Sequence, residues 1–487
     1  MLFSSITFLY YFLPIVLILY YVLPRNCKNM VLLISSLIFY AWGEPKYVIL
    51  MIISIMLGYV AGMWMQHGHR KMVMSVSILL CLSFLFYFKY ANFFIGNINA
   101  LTGQDIPLLK LVMPIGISFY TFQIISYIMD VYYERIPVQK NIFHLATYIT
   151  MFPQLIAGPI VRYSDINEQL EKRNITLENV SHGVHRFILG LSKKVLLANQ
   201  LGELCSIFKD SQEKSVAFYW LYAVALILHY YFDFSGYSDM AIGMGKFFGF
   251  DFMENFNYPY MSKSITEFWR RWHISLGTWF RDYVYIPLGG NRKGEAAHIR
   301  NIFVVWLLTG FWHGAEWNFI LWGLFFGVFL LIEKKWILHR MQSHRILSHV
   351  YVLFLVMVSF VVFDIPDMQE LGRYLRDMFF MGDIPLISQE CIYYFRSYFW
   401  ILCIGIVGAT DFPVKLYEKL KKYIQNKQYQ EKQGKEQDTD EIPLAKSRNL
   451  SESLLIFGET AVQIVLLLLV TAYLVDGSFN PFLYFRF

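Results

Sequence analysis

Long apolar runs with at most one charged residue each alternate with polar stretches along this chain. Phe3–Leu23, Met30–Trp42, Tyr47–Met65 and Val73–Phe94 come first, and Val216–Phe232, Ile299–Trp312, Trp317–Ile332, Val350–Phe363, Phe399–Ala409 and Leu454–Val475 follow. A helix needs about 20 apolar residues to cross the hydrocarbon core, so most of these runs read as crossings and Met30–Trp42 as a short one. The pattern predicts an all-α polytopic membrane protein, a single transmembrane body over residues 1–487 with its core in 110–335. Phe3–Leu23 has no basic leader and no small-residue cleavage site, and it reads as a retained first helix.

Two apolar runs carry residues that a continuous span resists. Pro114 and Gly116 fall within Lys110–Tyr133, and Pro153, Gly158 and Pro159 within Met151–Tyr163. Irregular backbone at membrane depth is tolerated only inside protein or against a wet cavity. Both segments are expected to be kinked or re-entrant and to flank an internal passage. Residues 164–181 read as a loop or surface helix, and 182–208 as an amphipathic helix bearing Arg186, Lys193 and Lys194. Asp233 and Asp239 follow the Val216–Phe232 run, either as capping groups at its end or as lining of the passage. Pro413–Glu452 is rich in Lys, Gln and Glu and reads as a partly disordered cytoplasmic loop. Glu459 and Gln463 lie one turn apart in the last span, placed to bond a neighbouring helix.

Composition agrees. Of 487 residues, 56% are hydrophobic and 16% charged, where a soluble domain carries about a quarter charged residues. The net charge of +6 comes from Lys and Arg grouped between apolar runs, which marks cytoplasmic loops and argues against nucleic acid as a partner. Arg25 with Lys28, and then His67–Lys71, put the first and third loops inside and the N-terminus outside the membrane. Five scattered cysteines without a CxxC pair predict neither disulfides nor a metal site.

Candidate chemistry gathers between Asn255 and Gly323. His313 lies where two apolar runs meet, in LLTGFWHGAEWNFILWG. A full charge there costs about 2.5–3.5 kcal/mol on insertion scales, which favours a neutral imidazole, and that is the form that acts as a base. In ITEFWRRWHISLGTWF, helical spacing puts Trp269, Trp272, His273, Leu276 and Phe280 on one face, with Arg270 and Arg271 toward the other. One imidazole can deprotonate a hydroxyl while a second orients a donor or binds an oxyanion, and the arginines suit a phosphate-bearing donor. A proton relay in a lipid or polysaccharide transporter is the competing class, and a structural scaffold for polymer export is a third.

FPQLIAGPIVRY, YFDFSGYSDMAIGMGKFFGF, NFNYPYMSKSITEFWRRWHISLGTWFRDYVYIPLGGNR and LLTGFWHGAEWNFILWG resemble the membrane-bound O-acyltransferase (MBOAT) family. Within it they resemble the bacterial branch of alginate O-acetylation and teichoic acid D-alanyl transfer membrane proteins, and MLFSSITFLYYFLP and PFLYFRF resemble the alginate-type termini. The resemblance implies a ring of about eleven or more transmembrane helices, with re-entrant and amphipathic helices around a central tunnel. By the same resemblance, His313 matches the family's active-site histidine and His273 its second histidine. Trp269, Trp312, Asn257, Tyr260 and Asp233 are expected to contact substrate alongside Arg270 and Arg271.

The implied reaction moves an acyl group, foremost acetyl, from a cytoplasmic thioester to a hydroxyl on an extracytoplasmic polysaccharide or partner protein. No bound cofactor is expected. Acetyl-CoA, or a carrier-protein phosphopantetheine thioester in the D-alanyl case, enters as substrate. The resemblance also implies an SGNH-hydrolase-like acetyltransferase acting in trans. Direct attack on the thioester and an acyl-enzyme route both stay open, with direct attack favoured because no Ser or Cys adjoins His313.

Overall fold

The structure is a computed structural model that describes residues 2–156, 158–337, 344–423 and 450–477. Among the described residues there are helices and loops and no β-strand. The first helices are α1 (Leu13–Val22), α2 (Lys28–Gly43), α3 (Val48–Trp64) and α4, which runs over Arg70–Thr102 through a π-helical turn at Phe86–Tyr90. Each buries one stripe. On α3, Met51, Ile55, Gly58 and Gly62 face inward, while Ile49, Ile53, Met56 and Val60 are exposed. An exposed face made of large apolar side chains is the lipid-facing pattern, with small residues saved for helix contacts.

The two interrupted runs resolve differently. α5 (Ile117–Tyr132) is buried almost throughout, and Pro114 and Gly116 stand ahead of its first turn. The expected kink is therefore corrected to a helix start, where a missing N–H costs nothing. Gly116 has φ +73°, and a Cβ there would sit 2.8 Å from the Leu155 carbonyl oxygen. Beyond α6 (Ile142–Thr150), Met151–Tyr163 is broken as expected: the single turn α7 (Phe152–Leu155) is followed by irregular chain, buried at 158–161, before α8 (Tyr163–Glu171).

The centre is a pair of antiparallel helices. α9 (Leu177–Ser192) passes through a π-helical stretch, Lys193–Ala198, into α10 (Asn199–Asp210), and α11 (Val216–Phe247) returns beside it. Glycines set their distance: a Cβ on Gly190 would lie 2.5 Å from the Gly236 oxygen, and one on Gly183 2.7 Å from the Gly243 oxygen. Spaced seven residues apart on each helix, they let the backbones touch. α11 outruns the apolar stretch that signalled it, so Asp233 and Asp239 are interior residues and not end caps. They are paired with cations: Asp233 with the buried Lys194, and Asp239 with the partly exposed Lys193 and Arg186 at 2.7 and 2.8 Å. The first half of α11 belongs to one apolar cluster and the second half to another, which makes it the shared wall of the molecule.

The chain continues through α12 (Ile265–Arg271), α13 (Ile274–Phe280), α14 (Glu295–His313), α15 (Trp317–Ile332), α16 (Arg345–Asp364), α17 (Met368–Met378) and α18 (Gln389–Gly408). A helix over 412–423, α19, and α20 (Leu450–Asp476) complete it. Of the stretch expected to be a polar loop, 413–423 is helical and 424–449 lies outside the described residues, as does the tail from 478 onward. Gln463 bonds His185 on α9 and Glu459 bonds Tyr417 on α19. Among the described residues five helices are long and apolar enough to cross a membrane, and α18, bent by 59° at its middle, is a sixth when its two halves are counted as one span. The expectation of eleven or more spans also counts shorter or more polar helices such as α2, α14 and α15.

Gly190→Leu should separate α9 from α11 at about 1–3 kcal/mol for overpacking, read as a lower thermal midpoint of the detergent-purified protein. Gly96→Ala, with open space around it, should leave that midpoint unchanged.

Candidate functional site

The single amphipathic helix expected over ITEFWRRWHISLGTWF is corrected by the structure: it is two seven-residue helices, α12 and α13, broken at Trp272–His273. His273 holds a left-handed backbone (φ 46°), a conformation that costs a non-glycine residue about 1–3 kcal/mol and persists only when its surroundings fix it. The surroundings here are the 255–257 segment. Asn257 N–H donates to the Arg271 carbonyl at 2.9 Å, and Ile274 N–H to the Asn255 carbonyl at 3.0 Å. The stripe of Trp269, Trp272, His273, Leu276 and Phe280 therefore turns a corner at the histidine.

Asn255 also fixes the ring. Its amide nitrogen donates to Ser238 Oγ at 3.0 Å, which points its oxygen at Ser275 Oγ (2.9 Å) and at His273 Nδ1 (3.2 Å). An acceptor facing Nδ1 makes that nitrogen the protonated one and leaves Nε2 with a free lone pair. Nε2 is buried and has no hydrogen-bond partner among the described residues. His273 itself is 2% exposed and lines a cavity of about 460 Å³ with Trp269, Arg270, Arg281 and Thr309. Asn257 lies outside it, on a second cavity of about 370 Å³ beside Glu254 and Arg186. The two cavities share Ile274 as a wall.

His313 is the last residue of α14, and Gly314 leaves the helix in extended conformation. Its ring meets Trp312, Trp322 and Phe363 edge-on, at centroid distances of 4.9, 5.1 and 5.2 Å. Trp312 reaches the other histidine too, 6.0 Å from the His273 ring. The two imidazoles thus share one indole, which joins the expected pair through a residue also expected at the site. Trp312 packs on Phe119 and Phe122, and Phe122 stacks flat on Trp279 at 3.8 Å. Phe363 is held from behind, since Asn318 Nδ2 donates to the Phe363 carbonyl at 2.8 Å.

The remaining expected residues divide. Arg270 is exposed at the cavity of His273, whereas Arg271 is committed to Glu267 at 2.8 Å and to the Asn257 carbonyl at 3.2 Å. Tyr260 donates its hydroxyl to the Ile227 carbonyl of α11 and is 8% exposed. Asp233 is shut into its pair with Lys194. The structure gives these last two packing positions away from the cavity. Three participants escaped the sequence reading. Asn255 is one, eighteen residues from the ring it orients. Glu333 is another: 1% exposed, it accepts from Ile265 N–H, Thr266 N–H and Thr266 Oγ1 at 2.6, 2.9 and 2.8 Å, anchoring the first turn of α12. The third is Lys89, whose ammonium donates to the carbonyls of Trp312 (2.5 Å) and His313 (3.3 Å). Lys89 had a signal, as the lone charged residue between Val73 and Phe94.

A family model described as the membrane-bound O-acyltransferase family matches residues 133–366, which hold Asn255, both histidines and Glu333. The chain is 39% identical over 511 residues to the probable alginate O-acetylase AlgI of Azotobacter vinelandii, with the whole of both chains covered. The chain belongs to the membrane-bound O-acyltransferase family. A peptidoglycan O-acetyltransferase of Helicobacter pylori is 33% identical to this acyltransferase, with 80% of this chain and 82% of the relative covered. A teichoic acid D-alanyltransferase of Bacillus subtilis is 29% identical over 47% of this chain and 62% of its own.

Removing the carboxylate that holds α12 has a defined cost in this acyltransferase. Glu333→Ala strands two buried N–H groups and a hydroxyl, and should lower stability by about 2–4 kcal/mol, measured as a fall in thermal midpoint that Glu333→Gln partly restores.

Proposed function

We propose that this acyltransferase transfers acetyl from a cytoplasmic coenzyme A thioester to a sugar hydroxyl of an extracytoplasmic polysaccharide, with His313 as general base. The observation that carries the reading is one indole, Trp312, in contact with both His313 and His273, the latter lining a cavity together with the exposed Arg270. His313 takes the hydroxyl proton as the oxygen attacks the thioester carbonyl. The tetrahedral adduct collapses to an ester, the carbon–sulfur bond breaks, and the departing thiolate receives the proton. His273, protonated on Nδ1 by its bond to Asn255, keeps Nε2 as an acceptor for an N–H or O–H group of the donor.

Direct transfer is favoured over an acyl-enzyme. Ser275 Oγ, 3.5 Å from His273 Nδ1, is already committed to Asn255 and to the Ile160 N–H at 3.0 Å, which leaves it poorly placed as a nucleophile. Acetyl is favoured over D-alanyl because the acetylase relatives match across most or all of the chain and the D-alanyltransferases across less than half. Basic groups at the open end of the α14–α15 hairpin, Arg292, Lys293, Lys334 and Lys335, mark that end as cytoplasmic under the positive-inside rule, with the N-terminus outside the bacterial cell membrane. An SGNH-type partner in trans, which the family resemblance implies, is the other hydroxyl acceptor compatible with this reading.

His313→Ala and His313→Gln should each cut coenzyme A release from labelled acetyl-CoA, and the O-acetyl content of the surface polysaccharide, by about 100-fold or more. Undiminished transfer in both would overturn the reading, and activity that collapses with the proton gradient while consuming no thioester would favour a transporter. Arg270→Ala should raise KM for acetyl-CoA about tenfold with kcat nearly unchanged, the pattern of lost uniform binding.

A further inference from the structure

We infer that Lys89 and Tyr90 form a clamp that positions His313 and Trp312 for acyl transfer, which makes Lys89 a positioning residue for the reaction proposed above. Every helix ends with carbonyls that have no partner within the helix, and at membrane depth water does not supply one. α14 ends on its candidate base, so those carbonyls belong to the site. Tyr90 donates its hydroxyl to the Phe311 carbonyl at 2.9 Å, and the Lys89 ammonium to the Trp312 and His313 carbonyls. Three consecutive carbonyls are thus bonded by two consecutive residues of α4.

Two neighbouring side chains of a regular helix diverge by about 100°, which sends them to different surfaces. Lys89 and Tyr90 close the π-helical turn of Phe86–Tyr90, the kind of local widening that recurs at functional sites. Tyr90 also lies flat on Phe311, with centroids 4.0 Å apart, and the ammonium stands 5.8 Å from the Trp312 ring. The clamp therefore grips the backbone of residues 311–313 and one face of the indole shared by the two histidines.

A neutral hydroxyl would have sufficed to satisfy these carbonyls. An ammonium in this position is costly to insert and returns that cost only through charge-assisted bonds to the negative end of a helix dipole. Its gain is precision: strong bonds on both sides of the Trp312–His313 peptide fix the ring spacing that transfer requires, where a misplacement of about 1 Å costs on the order of a hundredfold in rate.

The test uses the full chain in lipid nanodiscs, with acetyl-CoA as donor probe and alginate oligosaccharide as acceptor probe, for wild type, Lys89→Met, Lys89→Arg and Tyr90→Phe. Lys89→Met should lower kcat at least thirtyfold with KM for acetyl-CoA within twofold, Lys89→Arg should recover kcat to within fivefold of wild type, and Tyr90→Phe should lose three- to tenfold. Hydrogen exchange of the amides in 309–316 should quicken at least tenfold in Lys89→Met while the α9–α11 amides keep their protection. Full kcat in Lys89→Met, a loss confined to KM, or a loss shared by the whole exchange map would each overturn the clamp. Wild-type protein inert toward acetyl-CoA would instead overturn the donor reading, and the exchange comparison alone would then decide for or against the clamp.

Discussion

Backbone polar groups that leave a helix inside a bilayer must find partners in protein, and this molecule stops helices there at the two places where its candidate chemistry lies. α14 ends at His313 with its last carbonyls bonded by Lys89 and Tyr90. α12 breaks before His273, and the freed groups of Arg271 and Ile274 pair with the chain at 255–257. The breaks place imidazoles at helix ends, where a ring can look along a cavity instead of sideways into lipid. They are stable because every neighbour is fixed in turn: Asn255 by Ser238, the first turn of α12 by Glu333, and Trp312 by Phe119 and Phe122.

Acidic residues on and beside the central helix follow the same rule of pairing. Asp233, Asp239 and Asp364 are each paired with a lysine, and Asp364 also receives hydroxyls from Tyr222 and Tyr230. These clusters line α11, which the glycines of α9 approach to backbone contact. The result is a rigid inner wall surrounded by helices such as α3, α4 and α20 that offer large aliphatic side chains outward. Among the buried polar atoms without a hydrogen-bond partner in the described residues, His273 Nε2 and the indole nitrogens of Trp269 and Trp322 lie at the His273 cavity or against the His313 ring. An orphaned buried group at a site is a group waiting for a ligand.

Much of this was legible in the sequence, and the failures have physical causes. The membrane class and the broken buried chain at 151–163 follow from apolar run length and proline placement, and the cost of a charge at membrane depth is what singles out His313 as a candidate. The continuous helix through His273 was a wrong expectation because a 3.6-residue period continues through a residue whose backbone turns left-handed. Such a turn is set by bonds to Asn255 and Asn257, which no local pattern contains. α11 was cut short at Phe232 because its second half is polar, and helical polar residues in membranes depend on partners on another helix, here Lys193, Lys194 and Arg186. Tyr260 and Asp233 carry functional groups suited to substrate, but Ile227 and Lys194 already occupy them.

α4 has a divided allegiance. Spanning 33 residues, it is about 50 Å long, well beyond a hydrocarbon layer of about 30 Å, and only 17% of its apolar window is buried in the protein. A helix of that length accommodates a bilayer by tilting, and the tilt follows the thickness of the surrounding lipid. Lys89 and Tyr90 ride on this helix. The helix that bonds the end of α14 is thus among those with the least of their apolar surface inside the protein, so the candidate base is tied through Lys89 and Tyr90 to the outermost layer of the body.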